Sequence, residues 1–432
     1  MVIPQYDLPM EGHRLLPPRP SSVGEARRLV RRMLTGAGRD DLVETAELLV
    51  SEVVTNALVH AGTPIDLSVS VKVGGLRVEV GDGSPHLPSR RSYAPTAGTG
   101  RGLMMLEQLV DDWGVSPSAR GKTVWFRLAH DGLVHDGHAA LREATPSGGE
   151  PAETLVVQLL DVPLLLNAAW RQHAESTLRE YLLATLGSDP GDGPIRVHSE
   201  ASDAIALLAE HIPLLQVGEQ PDDVLAGALE PNVSCPRVEV PVPIESIPHF
   251  RTLNQTLDAA LEWAEDGRFL TPPVQPELRD MRRWLCQQVD QQSIGADPTP
   301  WSAEEYGPPE TKHALAWDAS PVTESADALI AADDTNRILA VSRPALHLLG
   351  YDDPQQLVGQ RLLTVIPTRY RQAHLAGFTL HFLTGRSPLL GNTVVVPALR
   401  RDGAETMLRL TIRAEHAPHG RAVFTAELGE AR

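Results

Sequence analysis

The first apolar pattern along the chain has the period of a helix. Apolar residues recur every three or four positions between Ala26 and Leu34, and Ser22 with Glu25 before them predicts a capping box. A second helix is predicted over about residues 41–60, where Leu, Val and Ala form one face. The chain therefore opens with two amphipathic helices.

The period then changes to that of a strand. Residues 65–73 alternate between apolar and polar, residues 76–80 alternate again, and Gly74-Gly75 between them predicts a hairpin turn. Residues 124–128 predict a last strand. This order of elements predicts an α/β sandwich with helices on one face of a mixed sheet.

Composition divides the chain into parts joined by linkers. Proline, glycine and serine gather in two segments with the composition of linkers, and long helical stripes lie between those segments. The predicted divisions are a leader at 1–19, an α/β sandwich at 20–130, a linker at 131–153, a mainly helical domain at 154–302, a second linker at 303–323 and an α+β domain at 324–432.

Pattern also separates the two later domains. The stripes at 166–178, 250–264 and 281–288 predict a helical bundle, which a run rich in valine and proline interrupts. In the last domain, two long strand candidates at 393–399 and 406–412 flank an Asp-Gly hairpin signal. Shorter strands are predicted there around an Asp-Asp-Thr-Asn turn.

Charge and cysteine content exclude several classes of protein. The 432 residues carry a formal net charge of −18 without a long basic stretch, which argues against nucleic acid as a partner. Cys235 and Cys286 show neither disulfide-framework nor metal spacing, which fits a reduced cytoplasmic setting. We find no signal peptide and no apolar run long enough to span a membrane.

The second predicted helix carries the first candidate chemistry. Glu52 and Asn56 are four residues apart, so they project from one face of that helix. A carboxylate and an amide oxygen beside an apolar face can abstract a proton and hold Mg²⁺, which prefers oxygen ligands. The alternative is a solvated stripe on an amphipathic helix.

Two further segments suit a nucleotide. Asp82 follows a strand, and its carboxylate can accept a hydrogen bond from the exocyclic amine of adenine. The glycine-rich run 97–103 leads into a short helix expected near Gly102, where backbone N–H groups can approach phosphates. Arg101 can add a charge-assisted contact, and Thr123 supplies a hydroxyl at the head of the last strand. A surface turn explains the glycine run equally well.

Taken in order, these segments resemble the GHKL ATPase superfamily, and within it the anti-sigma-factor serine kinases of the RsbW type. SEVVTNALVHA resembles the family's N-box, VGDGSP its first glycine box and GTGRGL its second. The resemblance implies Glu52 as general base and Asn56 as the ligand of Mg²⁺. It implies contacts with ATP from Asp82, Gly83, Gly98, Thr99, Gly100, Arg101, Gly102, Leu103 and Thr123. The first box departs from the family pattern after Asp82, where Gly-Ser-Pro-His follows.

The last domain resembles a PAS domain. The resemblance is carried by RILAV, ALHLLGY, the Tyr-Arg-x-x-His segment that ends at His374, and RRDG. In haem-binding PAS domains a histidine in such a segment binds iron, with an arginine on the following strand. Here Thr393 or Val394 falls at the arginine's position, so we expect an apolar pocket without haem. In that case His374 fixes a helix or faces water.

Two functions follow from these resemblances. The first is a cytoplasmic bacterial regulator under PAS control, an ATP-dependent protein serine kinase that phosphorylates a STAS-type anti-anti-sigma protein and sequesters a sigma factor. The second is a nucleotide-gated binding module without kinase activity. Glu52 favours the kinase, whereas the altered first glycine box and the large appended regions favour the module. The middle domain could form a homodimer interface or bind a partner.

Overall fold

The structure is a computed structural model in which two compact units can be distinguished. It describes residues 10–72, 75–84, 109–118, 121–128, 153–188, 193–213, 234–265, 269, 271, 274–302, 315, 317–384, 389–416 and 421–431. One unit comprises Met1–Val156, Leu178–Glu210 and Pro241–Thr256, and the other comprises Val157–Thr177, His211–Val240 and Leu257–Arg432. The predicted helical domain therefore contributes to both units.

The first unit contains a five-stranded antiparallel sheet in the order β1-β2-β3-β5-β4. Its strands are β1 (Met10–Leu16), β2 (Ile65–Lys72), β3 (Gly75–Asp82), β4 (Asp112–Ser118) and β5 (Gly121–Leu128). Helices α1 (Ser21–Gly36) and α2 (Val43–Ala61) contribute to the same hydrophobic core as this sheet. The predicted α/β sandwich is confirmed.

The core of this domain follows from the two sequence periods. Alternate residues of β2 and β3 are buried, and they meet the apolar stripes of α1 and α2. Val30, Leu34, Leu49 and Val54 have no exposed surface. Burying a side chain of this size contributes about 1.5–3 kcal/mol, so the stripes that predict the helices also hold them on the sheet.

Three expectations for this domain were wrong. The sheet is antiparallel throughout rather than mixed, because each described strand runs opposite to its neighbours. Residues 10–16 of the predicted leader form β1, a polar edge strand in which only Leu16 is buried. Ser22 forms no capping box, because its Oγ donates to the carbonyl of Pro17. The turn at Gly74 and the helix near Gly102 lie outside the described residues.

The middle region is mainly helical but contains a small sheet. It comprises β6 (Thr154–Pro163), α3 (Leu164–Ser188), α4 (Gly193–His211), β7 (Ser234–Pro243), α5 (Ile247–Glu265) and α6 (Pro276–Ser293). β6 and β7 pair with each other, each spans 10 residues, and each ends in Val-Pro before helical residues. The region thus repeats a strand–helix–helix unit, which the sequence analysis missed. In the described ranges, the helices are too short or too polar to cross a lipid bilayer.

The last domain is an antiparallel sheet in the order β10-β11-β12-β8-β9 with short helices. Its strands are β8 (Leu329–Asp333), β9 (Ile338–Val341), β10 (Thr393–Leu399), β11 (Glu405–His416) and β12 (Ala422–Glu430). Its helices are α7 (Ser320–Thr323), α8 (Arg343–Leu349) and α9 (Thr368–Thr384). Both predicted turns are confirmed: Asp333 Oδ1 accepts from the backbone of Thr335, and Gly403 adopts a φ of 82° between β10 and β11.

A buried ion pair joins this last domain to the start of α6. The guanidinium of Arg361 is bidentate to the carboxylate of Glu277, and its Nη2 also donates to Gln275 Oε1 at 3.1 Å. Arg361, Glu277 and Gln275 are 3%, 6% and 5% exposed. A buried charge is tolerated only when it is paired and hydrogen-bonded, so this contact fixes α6 against the α+β domain.

We expect Glu277→Ala to lower the free energy of unfolding by about 3–5 kcal/mol, because it leaves the guanidinium of Arg361 buried without its counter-charge. The matched control is Glu405→Ala, which removes a bidentate arginine pair with Arg369 at an exposed position and should change little. Urea denaturation of the full chain, followed by tryptophan fluorescence, measures both. Equal effects would contradict the role of burial.

Candidate functional site

The predicted catalytic pair lies on one face of α2. Glu52 and Asn56 are both half-buried, between the buried positions that hold the helix on the sheet. Within the described part of the chain, neither side chain has a hydrogen-bond partner. The helix ends at Ala61 and is capped by Gly62, which adopts a φ of 58° that disfavours other residues.

The adenine-reading candidate, Asp82, forms a buried ion pair. Its Oδ1 accepts from Lys122 Nζ at 2.9 Å and from the backbone N–H of Ser84 at 2.9 Å. The side chains of Asp82 and Lys122 are only 2% and 7% exposed. Antiparallel pairing of β3 with β5 places these two residues directly opposite each other.

The predicted site included Thr123 but not the adjacent Lys122. The side chains of successive residues in a strand point to opposite faces. Lys122 shares its face with the buried Val124 and Phe126, on the side of the helices, so Thr123 points to the other face. Thr123 therefore lies on the face of the sheet opposite to Lys122, and its contact with ATP stays a prediction. The alternation of residues along β5 fixes the face of each residue, and this alternation is the sequence signal that could have identified Lys122.

Two forces of opposite sign act on the Asp82 carboxyl. Burial raises its pKa above the ordinary value, whereas Lys122 and the hydrogen bond from Ser84 act to lower the pKa. A carboxyl that became protonated here would turn from an acceptor into a donor. The lysine thus opposes the loss of the charge that an amine-reading carboxylate needs.

The backbone around Asp82 is packed too closely for side chains. A Cβ added to Gly121, whose φ is 141°, would lie 2.0 Å from the carbonyl oxygen of Asp82. Gly83 donates its N–H to Thr63 Oγ1 at 2.8 Å, and an added Cβ would lie 2.8 Å from Thr63 Cγ2. Thr63 follows the end of α2, so this contact links the helix of Glu52 and Asn56 to the Asp82 turn.

The described residues of the predicted site lie on α2, at the end of β3 and on β5. Asp82 and Gly83 lie at the end of β3, and Thr63 connects them to the helix that carries Glu52 and Asn56. The predicted phosphate loop lies outside the described residues, namely Gly98, Thr99, Gly100, Arg101, Gly102 and Leu103. Their roles stay predictions.

In the last domain, His374 ties α9 to the turn between β8 and β9. Its Nε2 lies 2.5 Å from Asn336 Oδ1, and Asn336 is completely buried with a φ of 64°. Burial lowers the pKa of His374 to about 4, with the positive Arg361 as a second cause, so the imidazole is neutral at pH 7. This contact agrees with the expectation that His374 fixes a helix.

Two parts of the chain match known families. Residues 16–128 match the histidine kinase-like ATPase domain, and residues 322–427 match the PAS fold. The chain therefore contains a histidine kinase-like (GHKL) ATPase domain and a PAS domain with a helical middle region between them, as the sequence predicted.

Individual relatives cover less of the chain. An uncharacterised protein of Azorhizobium caulinodans is 34% identical over 103 residues, which are 24% of this chain and 14% of that protein's length. A solved light-oxygen-voltage domain studied with a flavin analogue is 18% identical with a TM-score of 0.21, covering 25% of this chain and 78% of that one. The PAS domain of an HTR-like protein from Haloarcula marismortui is 19% identical with a TM-score of 0.20, covering 26% of this chain and 88% of that domain.

We expect Gly121→Ala to destabilise the ATPase domain by roughly 3 kcal/mol or more, because the new methyl group overlaps the Asp82 carbonyl and the φ disfavours alanine. It should also weaken ATP binding, since the turn that carries Asp82 must move. Gly193→Ala at the start of α4, with no atom within 4 Å of the added Cβ, is the control and should be neutral. Thermal unfolding and calorimetric titration with ATP measure the two effects, and a stable variant with unchanged affinity would refute this packing argument.

Proposed function

We propose that the chain is a cytoplasmic bacterial regulator that transfers a phosphoryl group from ATP to a serine of a protein partner under the control of its PAS domain. The observation that carries the proposal is the hydrogen bond from Gly83 to Thr63, which ties the Asp82 turn to the end of α2, the helix that carries Glu52 and Asn56. The match of residues 16–128 to an ATPase domain supports the choice of nucleotide.

Glu52 and Asn56, both on α2, have different tasks in this reaction. Glu52 accepts the proton of the attacking serine hydroxyl, whose oxygen forms a bond to the γ-phosphorus as the bond to the β-phosphate oxygen breaks. Asn56 would hold Mg²⁺, because it is half-buried, carries an amide oxygen and has no side-chain partner among the described residues. When bound with ATP, the metal neutralises charge on the phosphates.

The partner is proposed by family resemblance. A STAS-type anti-anti-sigma protein would present the serine, and a sigma factor would be the protein that is sequestered or released. The PAS domain would bias this exchange through the middle region, whose helix α6 it contacts through Arg361.

A second candidate function is a nucleotide-gated binding module. It is favoured by the first glycine box, which departs from the family pattern after Asp82, and by the large regions appended to the ATPase domain. In this case ATP binding changes the affinity for the partner and no phosphoryl group is transferred.

We expect Asn56→Ala to weaken ATP binding in the presence of Mg²⁺ while leaving binding in EDTA nearly unchanged, because one oxygen ligand is lost. Thr55→Ala, exposed on the same helix, is the control and should bind as the wild type does. Calorimetry on the full chain gives both affinities. Absence of ATP binding by the wild type at millimolar nucleotide would refute the assignment.

We expect Glu52→Gln to keep the affinity for ATP and to lower phosphoryl transfer by about 10²–10⁴-fold, the usual contribution of a general base. Glu44→Gln, exposed in the first turn of α2, should transfer at the wild-type rate. The assay follows labelled phosphate from ATP to candidate STAS-type proteins. Equal rates in Glu52→Gln and wild type would eliminate Glu52 as the base, and partner binding without transfer by either would support the module.

A further inference from the structure

Lys122 is the charged side chain in the nucleotide site that neither the motif resemblance nor the proposed reaction assigns. It lies on the inner face of β5, and its ammonium is 2.9 Å from Asp82 Oδ1. The backbone N–H of Ser84 donates to the same oxygen. The described hydrogen bonds of Asp82 thus end on Oδ1, which leaves Oδ2 as the acceptor for a ligand.

Stability alone gives no reason for this pair. Replacing a buried ion pair by apolar residues of similar volume is often neutral or stabilising, since both charges lose their hydration. The neighbouring pair on the same face is Val80 opposite Val124, and both residues are buried. An apolar pair would continue that row and complete the core, so the polar pair calls for another explanation.

We propose that Lys122 is a positioning residue that holds Asp82 in the orientation in which Oδ2 accepts the exocyclic amine of adenine, and that it thereby sets the preference for ATP over purine nucleotides without that amine. This inference rests on the proposed nucleotide site. It goes beyond it by assigning base selection to a pair of residues instead of to Asp82 alone.

Two physical arguments support this assignment. Burial favours the neutral form of Asp82, which would offer a donor where the adenine amine requires an acceptor, and Lys122 opposes that change. The ammonium also occupies Oδ1 from the neighbouring strand, so the carboxylate cannot rotate freely. A carboxylate that is ionised and fixed in direction discriminates between a base with an amine and one without it.

The test is a cycle of two proteins and two nucleotides, measured by calorimetry on the full chain. The nucleotides are ATP and purine riboside triphosphate, which lacks the 6-amino group. The wild type should prefer ATP by roughly tenfold or more, the usual contribution of a hydrogen bond to a charged group. Lys122→Met should lose that preference through weaker ATP binding, with the affinity for purine riboside triphosphate unchanged.

Two further variants keep the result interpretable. Lys72→Met removes an exposed lysine of the same sheet and should retain the preference of the wild type. Lys122→Gln keeps a donor without the charge, provides a second variant should Lys122→Met not fold, and should show a reduced preference. Asp82→Asn should abolish the preference alone, and adding Lys122→Met to it should remove nothing more.

Other outcomes would overturn the inference. An equal loss of affinity for both nucleotides in Lys122→Met and Lys122→Gln would reduce the lysine to a structural role. Tighter ATP binding in these variants would mean that Lys122 competes with adenine for Asp82. A wild type that binds neither nucleotide would refute the proposed function itself, which differs from a wild type that binds both equally and refutes only base selection by this pair.

Discussion

The antiparallel pairing of β3 with β5 is the constraint on which the ATPase domain depends. It sets the buried residues of both strands in one row under α1 and α2, and the same register places Asp82 opposite Lys122 where that row ends. Shifting the register by one residue would turn every side chain to the other face. Core formation and the geometry of the candidate site are therefore one requirement, since the residues that bury the sheet also determine which polar groups lie on the side of the helices.

The sequence predicted those elements whose structure is determined by the residues within the element itself. The helix of Glu52 and Asn56 and the Asp-Gly turn at Gly403 depend on local periodicity and on a backbone conformation that glycine favours. Strand β1 was missed because it is a polar edge strand held by hydrogen bonds to β2, which leave no apolar pattern. Residues 422–430, which form β12, were missed because the sequence of a strand identifies it only in part. Its pairing with neighbouring strands is needed as well.

The sequence named site candidates where a motif coincides with an element, and it did not use the alternation that determines the face of each residue in β5. Asp82 was named because it ends a strand in a glycine turn. Thr123 was chosen over Lys122 because a hydroxyl suits phosphate chemistry, yet the pleat of β5 turns that hydroxyl away from the helices. The ion pair itself could not be foreseen, since its two residues are 40 positions apart in sequence and only the strand register brings them together.

The contact of Arg361 with α6 bears on how such a protein could be recombined. A domain that is moved from one regulator to another should not contain a buried charge whose partner stays in the original protein. Here the guanidinium finds its carboxylate at Glu277, well before the predicted linker at 303–323. A chimaera joined within that linker would contain Arg361 without Glu277, and therefore a buried cation without its counter-charge. A chimaera joined ahead of Gln275 would transfer the PAS domain together with α6, the helix that it contacts.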